Sequence, residues 1–212
     1  MTKIKDGVIV NKAVKIKTYT SIEHGDLTKV TSIVLHRTDS SSANSTLAAY
    51  AKGQKTGAHF LIEKNGYIYQ TANMKKTCWH VGILRPRCQI EKECNPKELK
   101  TITALIYEKG LSFGRRARNL SRHEASKKYP LRYPANSDSI GIEVVGRFSS
   151  TKKTFDKPTS QQLKSLKWLI EIVSREYQFD IKDNVYAHGA IARKKESEGA
   201  QLLQYLFSGV EQ

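Results

Sequence analysis

The chain has 212 residues, 39% of them hydrophobic and 26% charged, enough for one globular domain with a sizeable core or a domain carrying a large insertion. No apolar run approaches the ~20 residues of a membrane span, and the start, Met1 to Lys17, shows neither the apolar stretch nor the small-residue cleavage site of a secretory signal. A formal net charge of +16 predicts attraction to a polyanion, with nucleic acid, an anionic membrane surface and an anionic cell-wall polymer all eligible.

In chain order, Val14 to Tyr19 alternates and reads as an edge strand. Ser32 to His36 is a short apolar run ending in a polar group, as expected of a central strand opening onto a site. Thr46 to Lys52 is a short helix candidate. In His59 to Gln70, Asn65-Gly66 separates two β-rich runs, which predicts a hairpin with both turn residues at positive φ. Asn95-Pro96-Lys97-Glu98 supplies an N-cap, a first-turn proline and an acid; Leu99, Ile102 and Ile106 then share a face, and Gly110 closes the helix. Ser139 to Gly146 reads as a buried strand. Thr159-Ser160-Gln161-Gln162 is a capping box, followed by an apolar stripe at Leu163, Leu166, Ile170, Val173 and Tyr177. Tyr186 to His188 is a strand end, and Ala200 to Phe207 a closing helix.

This order predicts an α/β fold, a single mixed central sheet flanked by helices, with residues 1–212 forming one domain and an Arg/Lys-rich insertion at about 82–136. Three cysteines without a CxxC give neither a disulfide framework nor a zinc finger. Buried or free thiols are the favoured expectation, with a local Cys88–Cys94 pair open if the protein works in an oxidising space.

His36 and His188 each end a predicted strand, and Glu143 lies in a third. A histidine at a strand end is by itself more often a packed side chain than a ligand. Two of them, joined by a carboxylate from the 196–198 loop, make three protein ligands with one open position, the arrangement of a catalytic zinc site. Glu143 would then serve as base and acid, and a lysine of the 193–195 run would stabilise an oxyanion.

At these residues the chain resembles a known family. Ile33-Val34-Leu35-His36-Arg37-Thr38, Gly57 to Ile62 with Asn65-Gly66, Trp79-His80-Val81-Gly82, Ser139 to Glu143, and His188 are similar, in order, to the blocks of the zinc-dependent N-acetylmuramoyl-L-alanine amidases of the type-2 amidase and peptidoglycan-recognition-protein superfamily. The resemblance implies an amidase-like fold, zinc as cofactor, and cleavage of the amide between N-acetylmuramic acid and L-alanine of the stem peptide. It implies His36 and His188 as ligands, Glu143 as acid/base, and His59, Trp79 and His80 lining or supporting the cleft. The family's usual third ligand, an Asp or Cys before Pro-Gly, is replaced by Glu196-Ser197-Glu198-Gly199. Family spacings place the carboxylate at Glu198 or at Glu196, and alignment on the glycine places Ser197 there; Glu198 is favoured. The supporting lysine follows the register, Lys194 with Glu196 or Lys195 with Glu198.

The expected partner is peptidoglycan or a muropeptide, with an immunity protein as a further candidate and neither nucleic acid nor membrane insertion foreseen. The favoured setting is a protein made in the cytoplasm and delivered to the periplasm or cell wall by a non-classical route, as an antibacterial type VI secretion effector or a phage-type lysin. A muropeptide-binding module without catalysis and a cytoplasmic recycling amidase are the alternatives.

Overall fold

The computed structural model describes residues 2–207. The chain opens with β1 (Lys3–Lys5) and β2 (Val8–Val10), an antiparallel hairpin. Its turn, Asp6-Gly7, has φ of 49° and 76°, both positive as the tight hairpin turn requires. β3 (Val14–Ile16) is followed by a 3-10 turn and β4 (Glu23–Asp26), then β5 (Ser32–Arg37) and α1 (Ala43–Ala51). β6 (Phe60–Ile62) and β7 (Ile68–Gln70) pair antiparallel, and β8 (Lys76–Cys78) pairs with β4. Between β6 and β7 only Gly66 takes positive φ, 82°, with its N–H donating to the Glu63 carbonyl, so the connection is longer than the two-residue turn read from Asn65-Gly66.

Three helices occupy the middle: α2 (Arg87–Glu91), α3 (Pro96–Ile106) and α4 (Phe113–Ala125). Asn95 caps α3 as expected, its side chain accepting from the Glu98 N–H. The helix stops at Ile106 rather than running towards Gly110, and Leu99 of its expected apolar face is 44% exposed. Cys88 and Cys94 form a disulfide, against the expectation of free thiols; the Cα atoms lie 4.6 Å apart, because the chain reverses at Lys92, whose φ is 61°. Cys78 is buried and free.

β9 (Ser139–Val144), the ribbon β10 (Phe148–Ser149) with β11 (Thr154–Phe155), and α5 (Ser160–Tyr177) follow. Both hydrogen bonds of the Thr159 and Gln162 capping box are formed. The chain ends through α6 (Ile181–Asn184), β12 (Val185–Ala187), α7 (His188–Ile191) and α8 (Ala200–Phe207).

The main sheet has six strands in the order β12-β5-β9-β6-β7-β3 and is mixed. Neighbours from β12 to β6 run parallel, and their runs of Val, Ile and Leu are buried on both faces, as central parallel strands require. One face packs Ile33, Leu35, Phe60, Ile140 and Ile142 against Leu166, Leu169, Ile170 and Val173 of α5. Leu166 is fully buried there, so Leu166→Ala should lower unfolding free energy by about 2–5 kcal/mol, read as a drop in the urea midpoint at unchanged m-value.

Candidate active site

Parallel pairing carries three polar residues to one end of the sheet. β12 pairs with β5 so that Ala187 lies opposite Leu35, which brings the next residue, His188, beside His36. β5 pairs with β9 so that His36 lies opposite Glu143. Three neighbouring strands thus present His188, His36 and Glu143 at their C-terminal ends, where open α/β sheets bind ligands.

The loop after α7 brings in the carboxylate. Gly199 has φ of 82°, and a Cβ there would lie 2.4 Å from the Leu35 carbonyl oxygen; a Cβ on Gly189 would lie 2.2 Å from that of Lys195. These two close approaches fold the loop back so that Glu198 faces inward. Its Oε1 is 2.7 Å from His188 Nδ1 and 3.5 Å from His36 Nδ1, and the two Nδ1 atoms are 2.8 Å apart. Glu196 is exposed, and the Ser197 hydroxyl donates outward to the Lys153 carbonyl.

Hydrogen bonds around this trio assign its tautomers. The His80 Nε2–H donates to the Ser139 carbonyl at 3.3 Å, which leaves His80 Nδ1 an acceptor. His36 Nε2–H therefore donates to His80 Nδ1 at 3.0 Å, and His36 Nδ1 keeps a lone pair. His188 Nε2–H donates to the Val81 carbonyl at 2.7 Å, which turns its Nδ1 towards Glu198 and His36. Burial pushes His36 down to about 3, helped by His188, and holds His80 well below the usual imidazole range, so both rings are neutral. Two imidazole nitrogens and a carboxylate oxygen converge on one point, where they could hold a cation. These side chains have donor atoms within 4.8 Å of one another, and two nitrogens with one carboxylate oxygen suit zinc.

A second set, Glu98, His123 and Glu124, has comparable spacing. It already surrounds a cation: Lys127 Nζ lies 2.6 Å from Glu98 and contacts the fully buried Glu124, which fastens α3 to α4.

Glu143 is half-buried beside His36, and its Oε2, shielded from solvent, has no hydrogen-bond partner among the described residues. Burial, and then the charge of Glu198, push it up to about 8. It lines a cleft of about 520 Å³ together with Trp79, His80, Lys194 and the trio. Lys194 is exposed at the rim. Lys195 also lines the cleft, 2.8 Å from the Asp39 carboxylate and over the Phe148 ring. Trp79 is 48% exposed and stacks on His24 at 3.7 Å.

His59 does not reach the cleft wall. It is fully buried, accepting from the Gly141 N–H and donating to the Lys76 carbonyl, and burial pushes it down to about 4. It sits behind His80, with ring centroids 5.8 Å apart, and supports rather than lines the site. Gly141 explains the glycine of its strand: a Cβ there would lie 2.8 Å from the His80 ring. Gly141→Ala should therefore displace His80, free the His36 ring, and weaken zinc binding by roughly 10–100-fold in a chelator competition. Unchanged affinity would show that His80 does not orient His36.

A profile described as N-acetylmuramoyl-L-alanine amidase matches residues 26–200. The chain belongs to the N-acetylmuramoyl-L-alanine amidase family. The amidase fold is shared with solved structures at low identity. A selenomethionine derivative of AmpD superposes with a TM-score of 0.55 at 18% identity, covering 96% of this chain and 98% of that one. AMPDH3 from Pseudomonas aeruginosa gives 0.54 at 19%, over 84% of this chain and 59% of that one. PlyL gives 0.52 at 12%, over 93% and 98%. No curated protein sequence matches the amidase. Its activity class is that of its family, amide hydrolysis in peptidoglycan.

Proposed function

We propose that the protein is a zinc-dependent hydrolase in which His36, His188 and Glu198 hold the metal and Glu143 moves the proton, cutting the bond between the lactyl group of N-acetylmuramic acid and L-alanine. The observation that carries this reading is the convergence of two imidazole nitrogens and a carboxylate oxygen beside Glu143, whose buried Oε2 has no hydrogen-bond partner among the described residues. Zinc there supplies Lewis-acid polarisation of the scissile carbonyl and a more acidic attacking water. Glu143, beside the trio with an unpartnered Oε2, would take the proton of the attacking water and return it to the leaving amine. Lys194 and Lys195 both line the cleft and are the candidates to approach developing negative charge, Lys195, the lysine expected with Glu198, being paired with Asp39. Trp79 offers the cleft an exposed aromatic face for substrate.

The reading extends to setting: a protein delivered beyond the cytoplasm, as an antibacterial effector or phage-type lysin, with an immunity protein as a candidate partner. The Cys88–Cys94 disulfide supports an oxidising destination. Residues 82–136, with α2 to α4, are on this reading an insertion within a single domain that reshapes the cleft surroundings. The test is digestion of purified peptidoglycan followed by mass spectrometry. Free stem peptides beginning with L-alanine, lost on chelation and restored by zinc, are expected. Muropeptides bound but left uncut by the zinc-loaded protein would favour a recognition module.

A further inference from the structure

The connection between α7 and α8 has no regular structure of its own, yet it sets the position of Glu198. Two backbone hydrogen bonds make its turn. The Glu198 N–H donates to the Lys195 carbonyl at 2.8 Å, and the Gly189 N–H of α7 donates to the Glu198 carbonyl at 2.9 Å. Side chains from this connection and from α8 then reach one neighbour, the β10–β11 ribbon. The Ser197 hydroxyl donates to the Lys153 carbonyl at 3.3 Å, and the Gln201 amide donates to the Thr154 hydroxyl at 3.1 Å.

Lys195 is attached to the same ribbon. Its Nζ lies 3.8 Å from the centre of the Phe148 ring and 5.6 Å from that of Phe155. The two rings pack edge to face, with centroids 5.2 Å apart. The ammonium is also 2.8 Å from Asp39 Oδ2, and the other oxygen of that carboxylate accepts the Phe148 N–H at 2.7 Å. Asp39, from the connection between β5 and α1, therefore joins the ribbon backbone to the head of the lysine.

Lys195 is thus held at both ends. Its ammonium meets an aromatic face and a carboxylate, and its carbonyl accepts from the residue whose side chain completes the trio. A lysine serving a developing oxyanion presents its ammonium to the substrate. To do that, Lys195 would have to give up both partners.

We propose that Lys195 is a positioning residue: its ammonium, held between Asp39 and the Phe148 ring, fastens the 195–198 turn to the β10–β11 ribbon and so keeps Glu198 directed at His188 and His36. The inference rests on the reading of Glu198 as a zinc ligand. It leaves Lys194, at the cleft rim, to approach developing negative charge.

Zinc competition against a chelator of known affinity, followed by turnover of the zinc-saturated protein on muropeptide, tests it. Lys195→Met keeps the length of the side chain and removes its charge. Without the attachment the turn opens locally, and zinc has to order it again on binding. Affinity should fall by about three- to thirtyfold, the combined worth of one exposed ion pair and one cation–π contact, while kcat at saturating zinc stays close to wild type. Lys195→Arg, still cationic and able to stack on an aromatic face, should bind zinc nearly as wild type does. Phe148 is not part of the cleft lining, so Phe148→Leu removes the ring without touching substrate. It should weaken zinc binding in the same direction, and the double variant should lose less than the product of the two single losses, because both break one attachment. Wild-type zinc affinity in Lys195→Met overturns the proposal. So does unchanged affinity with turnover at saturating zinc lowered by about 10²-fold or more, which would make Lys195 the oxyanion group. A wild-type protein without stoichiometric zinc would overturn the metal reading first, and this assignment with it.

Discussion

Glu143→Gln should leave zinc content stoichiometric and lower turnover on muropeptide by about 10²–10⁴-fold, the usual worth of a positioned general acid–base. The substitution keeps size and replaces the titrating carboxyl by a neutral amide. Metal analysis and rate measurement on one preparation separate the roles: loss of both would make Glu143 a ligand or a structural prop, and full activity would remove it from the chemistry. The same variant reports on stability. With the folded group near 8 against an ordinary value of 4.5, the native state keeps a proton that the unfolded chain releases. Its stabilising contribution is complete below about 4.5 and is lost as pH rises through about 8. Chelated wild type should therefore lose stability relative to Glu143→Gln between pH 5 and 8, on the order of 1.4 kcal/mol per pH unit inside the window. Urea titrations at the two ends measure it; parallel curves for the two proteins would mean that Glu143 ionises freely.

Glu198→Ala should lose stoichiometric zinc, and with it activity, while Glu196→Ala keeps both. Glu198 Oε1 lies 2.7 Å from His188 Nδ1, whereas the Glu196 side chain is in solvent. Removing a ligand leaves two imidazoles and water, so affinity should fall by well over the ~100-fold upper range for loss of an outer-shell partner. Equilibrium dialysis with zinc at graded chelator strength reads this directly. Zinc retained in Glu198→Ala and lost in Glu196→Ala would shift the loop by two residues. On the proposed reading zinc would bind only the folded trio, so chelation should also lower the thermal midpoint of wild type but not of Glu198→Ala.

The outline of this centre was legible because apolar runs ending in His36 and His188, and the run containing Glu143, are what parallel central strands look like, and parallel neighbours align their ends. The choice among positions 196, 197 and 198 rested on resemblance. What brings Glu198 inward is the left-handed turn at Gly199 and its closeness to Leu35, a contact between residues far apart in the chain. The role of His80 was equally hidden: its ring orients His36 only because Gly141 leaves room for it. α4 escaped notice because its sequence is mostly arginine and polar residues, with Ala117, Leu120 and Glu124 as its buried positions, too sparse an apolar stripe to announce a helix. The dipeptide expected to form the tightest turn was Asn65-Gly66, while Asp6-Gly7 formed it; the longer β6–β7 connection needed left-handed backbone at one residue alone.

β12 is an outermost strand of the main sheet and among the last elements of the chain, and it is the one that delivers His188 and then the loop of Glu198. During synthesis, β5 and β9 leave the ribosome long before it does. A chain in which β5 and β9 have emerged and β12 has not therefore holds one imidazole of the trio and no carboxylate. The trio is assembled only when β12 docks on β5 and the loop behind it folds back.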